Sequence, residues 1–480
     1  MADEYSSWVG LIYVFNLIVG TGALTLPSVF AGAGWLLSTI LVSLLALVSF
    51  ITVTFVIETM ACANATVHWR RVQSHKTDES EVPADSDSEP ENTTEETAIM
   101  SINRRRKRYY NLNTKVELGE MAKLYFNKFG QLLFYVSLCI YLYGDLAIYA
   151  TAVSKTIVDL TCKSYNNDTE DYSTKCSDSL NVAKIDMYRI FVAIFALSVG
   201  PFTYFKVQKT KYLQIVTTAL RWSAFVIMIT LACIRLSKNG QEGHPDLVHL
   251  SGVPSLIGSS IYSFMCHHSV PGLIAPFANK QHVIRQIGLD YLSICCFYLL
   301  LAMTGSFAFE TLDDLYTLNF IPTESDDSGV FMEVIKYFLG AFPLFTLSTS
   351  FPIIAITLQN NLKSLFLDIN VMERYNFFVR RLAFPTLAVV PPIVVAFSTH
   401  NLRTLVAFTG SYAGVLIQYI IPACLVYFAR QHCARNIGNY DNKYSSPFRH
   451  VFWFTFVIGW SIFCVIFVTA NFIMQEIHTK

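Results

Sequence analysis

"VFNLIVGTGALTLPSVF", Val14 to Phe30, decides how this chain is read. It opens as an apolar helix, then places Gly20, Thr21 and Gly22 in succession, with Pro27 following. Inside a helix Gly costs about 1 kcal/mol relative to Ala, and Pro about 3 kcal/mol. In lipid the break costs more, because no water replaces the lost hydrogen bonds. Such an interruption needs a use, and the rest of the sequence says which.

The chain has 480 residues, of which 53% are hydrophobic and 15% charged, and its formal net charge is zero. Soluble domains carry about 25% charged residues. Neutrality and the lack of a nucleic-acid motif exclude a nucleic-acid partner. The N-terminus "MADEYSS" is acidic and lacks the basic region of a cleavable signal peptide, so the first apolar segment is expected to persist. A membrane span needs about 20 mainly apolar residues, and about eleven such segments occur. They lie near 8–30, 34–62, 131–159, 187–204, 212–236, 253–278, 287–309, 331–357, 378–398, 404–428 and 450–474. A soluble bundle would need polar helix faces, which these segments lack. The expectation is an all-α membrane protein of about eleven transmembrane helices. It divides into 1–69 with spans 1 and 2, a disordered loop at 70–112, 113–236 with spans 3 to 5, 237–428 with spans 6 to 10, and 429–480 with span 11.

Placing the N-terminus in the cytosol puts "RVQSHK", "RRRKR", "KVQKTK", "KQHVIR", the Lys363–Arg374 region with Arg380 and Arg381, and the segment from "RQHCAR" to "SSPFRH" on the cytosolic side. These loops hold about two dozen Lys and Arg, and the opposite loops fewer than about ten, as the positive-inside rule requires. The C-terminus then lies outside or in a lumen. The polar loop after span 3 is non-cytosolic, so a Cys162–Cys176 disulfide and an N-glycan at Asn167 are expected there. Two free thiols and an unused sequon are the alternative. The sequons at Asn64 and Asn92 fall on the cytosolic side and should be silent.

Residues 70–112 carry "TDESEVPADSDSEPENTTEE" and then "RRRKRYY", blocks of like charge that predict disorder. The loop reads as a solvated spacer, or as a contact for anionic lipid or cytosolic partners. "YYNL" at 109–112 has the form of a tyrosine-based endosomal sorting signal, which allows a lysosomal/endosomal or a plasma-membrane location.

Irregular backbone survives at membrane depth only where it is buried in protein or lines a cavity. Secondary transporters use it to build a site: a half-helix N-terminus attracts a carboxylate, and freed carbonyls hold a cation or ammonium group. The candidates in span 1 are Asn16, Gly20, Thr21, Gly22 and Ala23, with the amides of Thr21, Gly22 and Ala23 facing the anionic group. The glycines would permit unusual backbone and close approach of ligand; helix packing is their alternative use. Span 6, "SLIGSSIYSFMCHHSVPGLIAPF", is also interrupted, by His267, His268, Pro271 and Gly272. Tyr262, Phe264 and His267 are its pocket candidates. Spans 1 and 6 correspond if spans 1–5 and 6–10 are inverted repeats and span 11 is extra. That symmetry is read from position, since the halves share no convincing residue repeat.

These residues also carry a resemblance. "NLIVGTGALTLP" with "AGAGW", "FMCHHSVPGL", and "TGSYAG" followed by Pro422 resemble the first, sixth and tenth helices of the amino acid/auxin permease family, which has the leucine-transporter (LeuT) fold. "YLYGDLAIYA" and "FVIETMACANA" are similar to a branch of it that implies no particular substrate. The resemblance covers most of the chain except 70–112. It implies transport of amino acids driven by sodium or protons.

Ionisable groups inside a membrane are functional candidates. Asp145, midway along span 3, is read as a proton carrier or cation ligand, or as the partner of Arg221 in span 5. Arg221 would otherwise supply a fixed charge in place of sodium; it cannot deprotonate. Glu58 is expected to snorkel to the interface. His267 and His268 titrate near physiological pH or bond an unwound carbonyl. Cys266 lacks the ligand spacing of a zinc site, so no metal is expected. Thr346, Ser348, Thr349 and Ser350 of span 8 suit sodium, which the resembling fold binds between helices 8 and 1; bonding back to their own helix is the alternative. No Walker loop, nucleophile elbow or HExxH occurs, so no enzyme is expected. No repeated filter or charge ring marks a channel. The reading is a secondary active transporter of amino acids or similar zwitterions, with no cofactor beyond H+ or Na+. A non-transporting amino-acid sensor or scaffold signalling through 70–112 is the rival.

Overall fold

The structure, a computed structural model, describes residues 6–79, 109–162, 172, 175–177, 180–204, 211–321, 329–367, 382–438 and 442–479. Asn167, Asn92 and most of the charged loop lie outside the described residues.

Hydropathy shapes the molecule. Among the described residues, 8 helices are long and apolar enough to cross a bilayer, or up to 9 if Val9–Ile18 and Thr21–Ala33, bent by 53°, form one crossing. Two of the expected segments fall short of that length as continuous helices. The sixth is Val253–Ser263 and then Val270–Ile274, and the ninth is the 15-residue Phe384–Ser398, which contains Pro391 and Pro392. The chain is a multi-pass membrane protein.

In chain order the helices are α1 (Ser7–Ile18), α2 (Thr21–Ala33), α3 (Trp35–Glu79), α4 (Leu118–Tyr125), α5 (Lys128–Thr161), α6 (Lys184–Val199), α7 (Lys211–Asn239) and α8 (Val253–Ser263). There follow α9 (Val270–Ile274), α10 (Val283–Ala308), α11 (Val330–Phe366), α12 (Phe384–Ser398), α13 (Leu402–Thr409), α14 (Ile421–Asn436) and α15 (Val451–Thr479). Two π-helical turns, Gly410–Gly414 and Leu416–Ile420, join α13 to α14. One departure from an all-helical chain is a short antiparallel ribbon, β1 (Lys175–Ser177) with β2 (Leu180–Ala183). A Cys162–Cys176 disulfide ties it to the end of α5.

Local chemistry sets the helix ends. Asn127 and Asn401 accept from the amides of Gly130 and Thr404 at 2.8 and 2.9 Å, capping α5 and α13. Glu117 and Glu120 form a capping box on α4. Gly34, with φ +89°, turns α2 into α3; a Cβ there would stand 2.8 Å from Asp246 O. The core has α5 packed along α11, α12 and α6, while α8 packs against α2, α13 and α3.

Helix α3 continues through residues 70–79, where a loop was expected. "YYNL" is packed rather than presented: Tyr109 stacks on His68 and Leu112 is buried. Glu58 does not snorkel. Its side chain is 0% exposed, and Arg430 grips both of its oxygens at 2.8 Å. The Ser446 amide donates to it as well, at 2.8 Å. A partner arriving from α14 makes burial affordable, and Glu58's own neighbours in sequence do not reveal it. At the end of the bundle that carries the ribbon, Asp314 lies 3.2 Å from both Lys155 and Arg403. Burial pushes its carboxyl up, but the two cations outweigh that and hold it below the ordinary carboxylate value. Its contribution to stability is therefore present at neutral pH and lost only as pH falls through that lowered value.

Candidate functional site

The two helix breaks lie side by side. α1 ends with the Gly20 amide donating to Ile18 O at 2.9 Å, and α2 starts with the Ala23 amide donating to Gly20 O at 3.1 Å. The Ala23 amide is thus used within the chain and does not face a ligand. The amides of Thr21 and Gly22, in the first turn of α2, have no protein acceptor among the described residues. Neither glycine has a positive φ, so unusual backbone is not their reason for being there. A Cβ on Gly22 would stand 2.6 Å from Ser263 Cα, so this glycine lets α2 close on α8. A Cβ on Gly20 would meet nothing within 4 Å. Of the pair, Gly20 borders open space and Gly22 serves packing.

Tyr298 of α10 connects the breaks. Its hydroxyl is 2.9 Å from Ile18 O, at the end of α1, and 3.0 Å from Ser263 O, at the end of α8. The Ser263 carbonyl lacks a backbone donor because α8 stops there, while the Ile18 carbonyl already accepts from the Gly20 amide. Sequence reasoning missed Tyr298, although a tyrosine within an apolar span has to find a partner for its hydroxyl.

A second hydroxyl chain runs beside it. Tyr262, on α8, donates to Asp145 Oδ1 of α5 and lies 3.2 Å from Thr21 Oγ1. Asp145 is 8% exposed, and among the described residues it forms no ion pair. The pairing with Arg221 is absent. Arg221 instead donates through Nη1 to the carbonyl of Asn16, in the last turn of α1. Asn16 Oδ1 is buried with no partner. Span 10 closes the site from the far side: a Cβ on Gly410, in the first π turn, would sit 3.2 Å from Tyr262 Cβ.

Several candidates lie elsewhere. Phe264 is fully buried between the rings of Tyr291 and Tyr298, at centroid distances of 6.3 and 5.2 Å, and is core. His267 points to α3, with Nε2 2.9 Å from Thr52 Oγ1. His268 lies closer to the site, its ring 5.7 Å from Tyr141, which is 6.4 Å from Tyr262. Cys266 Sγ is 3.1 Å from Tyr291 Oη. The span 8 hydroxyls bond to their own helix: Thr346 to Phe342 O, Thr349 to Phe345 O and Thr346 O, and Ser350 to Thr346 O. Ser348 is half-buried on the same helix. The site thus gathers Asn16, Gly20, Thr21, Tyr262, Asp145, Arg221 and Tyr298 from α1, α2, α5, α7, α8 and α10.

Residues 96–473 match the family model described as transmembrane amino acid transporter protein. The chain is 49% identical over 490 residues to transmembrane protein 104 of Homo sapiens, covering 99% of this chain and 98% of that protein. It is 48% identical over 498 residues to the transmembrane protein 104 homolog of Drosophila melanogaster, covering 98% and 97%. For the homolog of Dictyostelium discoideum the identity is 31% over 508 residues, covering 98% of each. With the family model matched over most of its length and these relatives over nearly all of it, the chain belongs to the transmembrane amino acid transporter family.

Proposed function

We propose that this protein is a secondary active transporter of amino acids or similar small zwitterions, working by alternating access. The observation that carries the reading is the meeting of two broken helices at the Tyr298 hydroxyl, with Asp145 one tyrosine away. Substrate carboxylate takes the free amides of Thr21 and Gly22, where the dipole of α2 favours negative charge. Substrate ammonium takes carbonyls of the α1 and α8 ends, and Gly20 keeps the approach open. In this reading α8 with α9 is the sixth crossing and α12 the ninth, completing eleven spans. Spans 1–5 and 6–10 are the inverted repeats of a LeuT-like fold, with the N-terminus cytosolic.

The coupling ion in this reading is the proton. Asp145 can release one, and its hydroxyl neighbour tolerates either state. The Arg221 guanidinium on the Asn16 carbonyl supplies a permanent positive charge at the α1 break. Sodium has less support, because three of the four span 8 hydroxyls are engaged by their own helix. The test is uptake of a mixed amino-acid panel into proteoliposomes with pH and sodium gradients varied separately. We expect concentrative uptake on an inward pH gradient without sodium. Uptake on a sodium gradient alone would overturn proton coupling, and no uptake of any panel member under either gradient would overturn transport of amino acids.

A further inference from the structure

We propose that the pocket between the starts of α10 and α15 holds the phosphorylated headgroup of an anionic membrane lipid, a phosphoinositide. The pocket has a volume of about 540 Å³, within the range of small-molecule sites. Arg285, Lys443, Arg449 and His282 line it, with Gln281 and Ser445 as further polar groups, and none of its lining residues is a carboxylate. The three Arg and Lys side chains come from two places far apart in sequence, the first turn of α10 and the approach to α15. His282 is the N-cap of the 26-residue α10, so the positive end of that helix dipole adds to the side-chain charge. Convergent cations, a helix start and a concave wall together suit a phosphate ester; one exposed lysine would not.

Geometry favours a lipid over a soluble phosphate. Both α10 and α15 begin at this pocket, which places it at the level where those helices enter the bilayer. Beside it, each helix turns outward an apolar strip: Leu289 and Leu292 on α10, Val451 and Phe452 on α15, all more than half exposed. A headgroup seated among the cations would lay its acyl chains on these strips. With the N-terminus cytosolic, the pocket opens at the cytoplasmic leaflet, where anionic lipids concentrate. The site is separate from the helix breaks and does not depend on the transport reading.

The experiment is lipid retention by the full-length protein, read by native mass spectrometry in detergent containing phosphatidylinositol 4-phosphate or phosphatidylcholine. Wild type should retain the phosphoinositide in preference. The double variant Arg285→Gln, Lys443→Gln, at two exposed side chains, should bind it roughly 10- to 30-fold more weakly. Lys238→Gln, an exposed lysine on α7 outside the pocket, should match wild type. Equal retention by the double variant and wild type would overturn the site. Soluble inositol 1,4-bisphosphate should compete only at far higher concentration; competition at the lipid's own concentration would overturn the lipid as occupant.

Discussion

Glu58 and Asp145 are both carboxylates buried among membrane-spanning helices, and the protein holds them in opposite ways. Glu58 has both oxygens bonded to Arg430 and receives the Ser446 amide besides. Asp145 has the Tyr262 hydroxyl and no ion-pair partner among the described residues. A carboxylate gripped by a guanidinium is a structural tie, because losing either partner leaves the other without its counter-charge. A carboxylate facing a hydroxyl is not committed, since a hydroxyl both donates and accepts. The first arrangement fixes α3 to α14. The second leaves a titratable group poised beside the helix breaks.

The comparison can be broken or sharpened at four places, taken in order of the stability each costs. Glu58→Gln should destabilise the protein by about 3 kcal/mol, since the half-buried Arg430 loses the counter-charge that the fully buried Glu58 supplies. Thermal unfolding in detergent measures this, and a variant as stable as wild type would erase the contrast. Tyr298→Phe should cost about 1–3 kcal/mol by leaving the Ser263 carbonyl without a donor and the Ile18 carbonyl with the Gly20 amide alone. The same unfolding assay reads it, and substrate affinity should fall with it if the breaks form one site. Asp145→Asn should cost under about 1 kcal/mol, because the amide oxygen still accepts from Tyr262. In reconstituted vesicles it should lose accumulation driven by a pH gradient and keep downhill exchange. Accumulation that survives in this variant would remove Asp145 as the proton carrier. The smallest effect is expected at Gly20, with Gly22 as its contrast. Gly20→Ala should leave stability unchanged to within about 0.5 kcal/mol, whereas Gly22→Ala should cost about 1–3 kcal/mol by pushing α2 off α8. Equal unfolding temperatures for the two variants would mean that neither packs as described.

The breaks were legible in the sequence because glycine and proline are costly at membrane depth: the cluster at 20–22 falls on the first break, and Pro271 and Gly272 fall in the first turn of α9, just after the second. Asp145 was legible for a similar reason, as a charge within an apolar run. What the sequence could not show was which face each residue presents. Phe264 and His267 sit two and five positions from Tyr262, yet they turn to α10 and α3 while Tyr262 turns to α5. The helix ends at Ser263, so the regular 3.6-residue period cannot be carried across. The span 8 hydroxyls could have faced a cation or their own carbonyls, and composition does not decide between the two. Glu58 and Tyr298 were invisible for a third reason: each depends on a partner more than 250 positions away in the chain.

The chain from Thr21 through Tyr262 to Asp145 has a direction, because each hydroxyl carries only one proton to give. When Asp145 is ionised, Tyr262 gives its proton to the carboxylate and, across the Thr21–Tyr262 bond, Thr21 is left as the donor. In the transport reading we propose, the lone pairs of Thr21 then suit a substrate ammonium group. When Asp145 is protonated, the order reverses: Asp145 gives to Tyr262, Tyr262 gives to Thr21, and the Thr21 proton is released to point elsewhere. In that polarity Thr21 becomes a donor beside the free amides of the α2 start, which suits a carboxylate. In the proton-coupled transporter we propose, a proton arriving on one helix is thereby felt as a change of hydrogen-bonding sign on another, with no side chain having to change its rotamer.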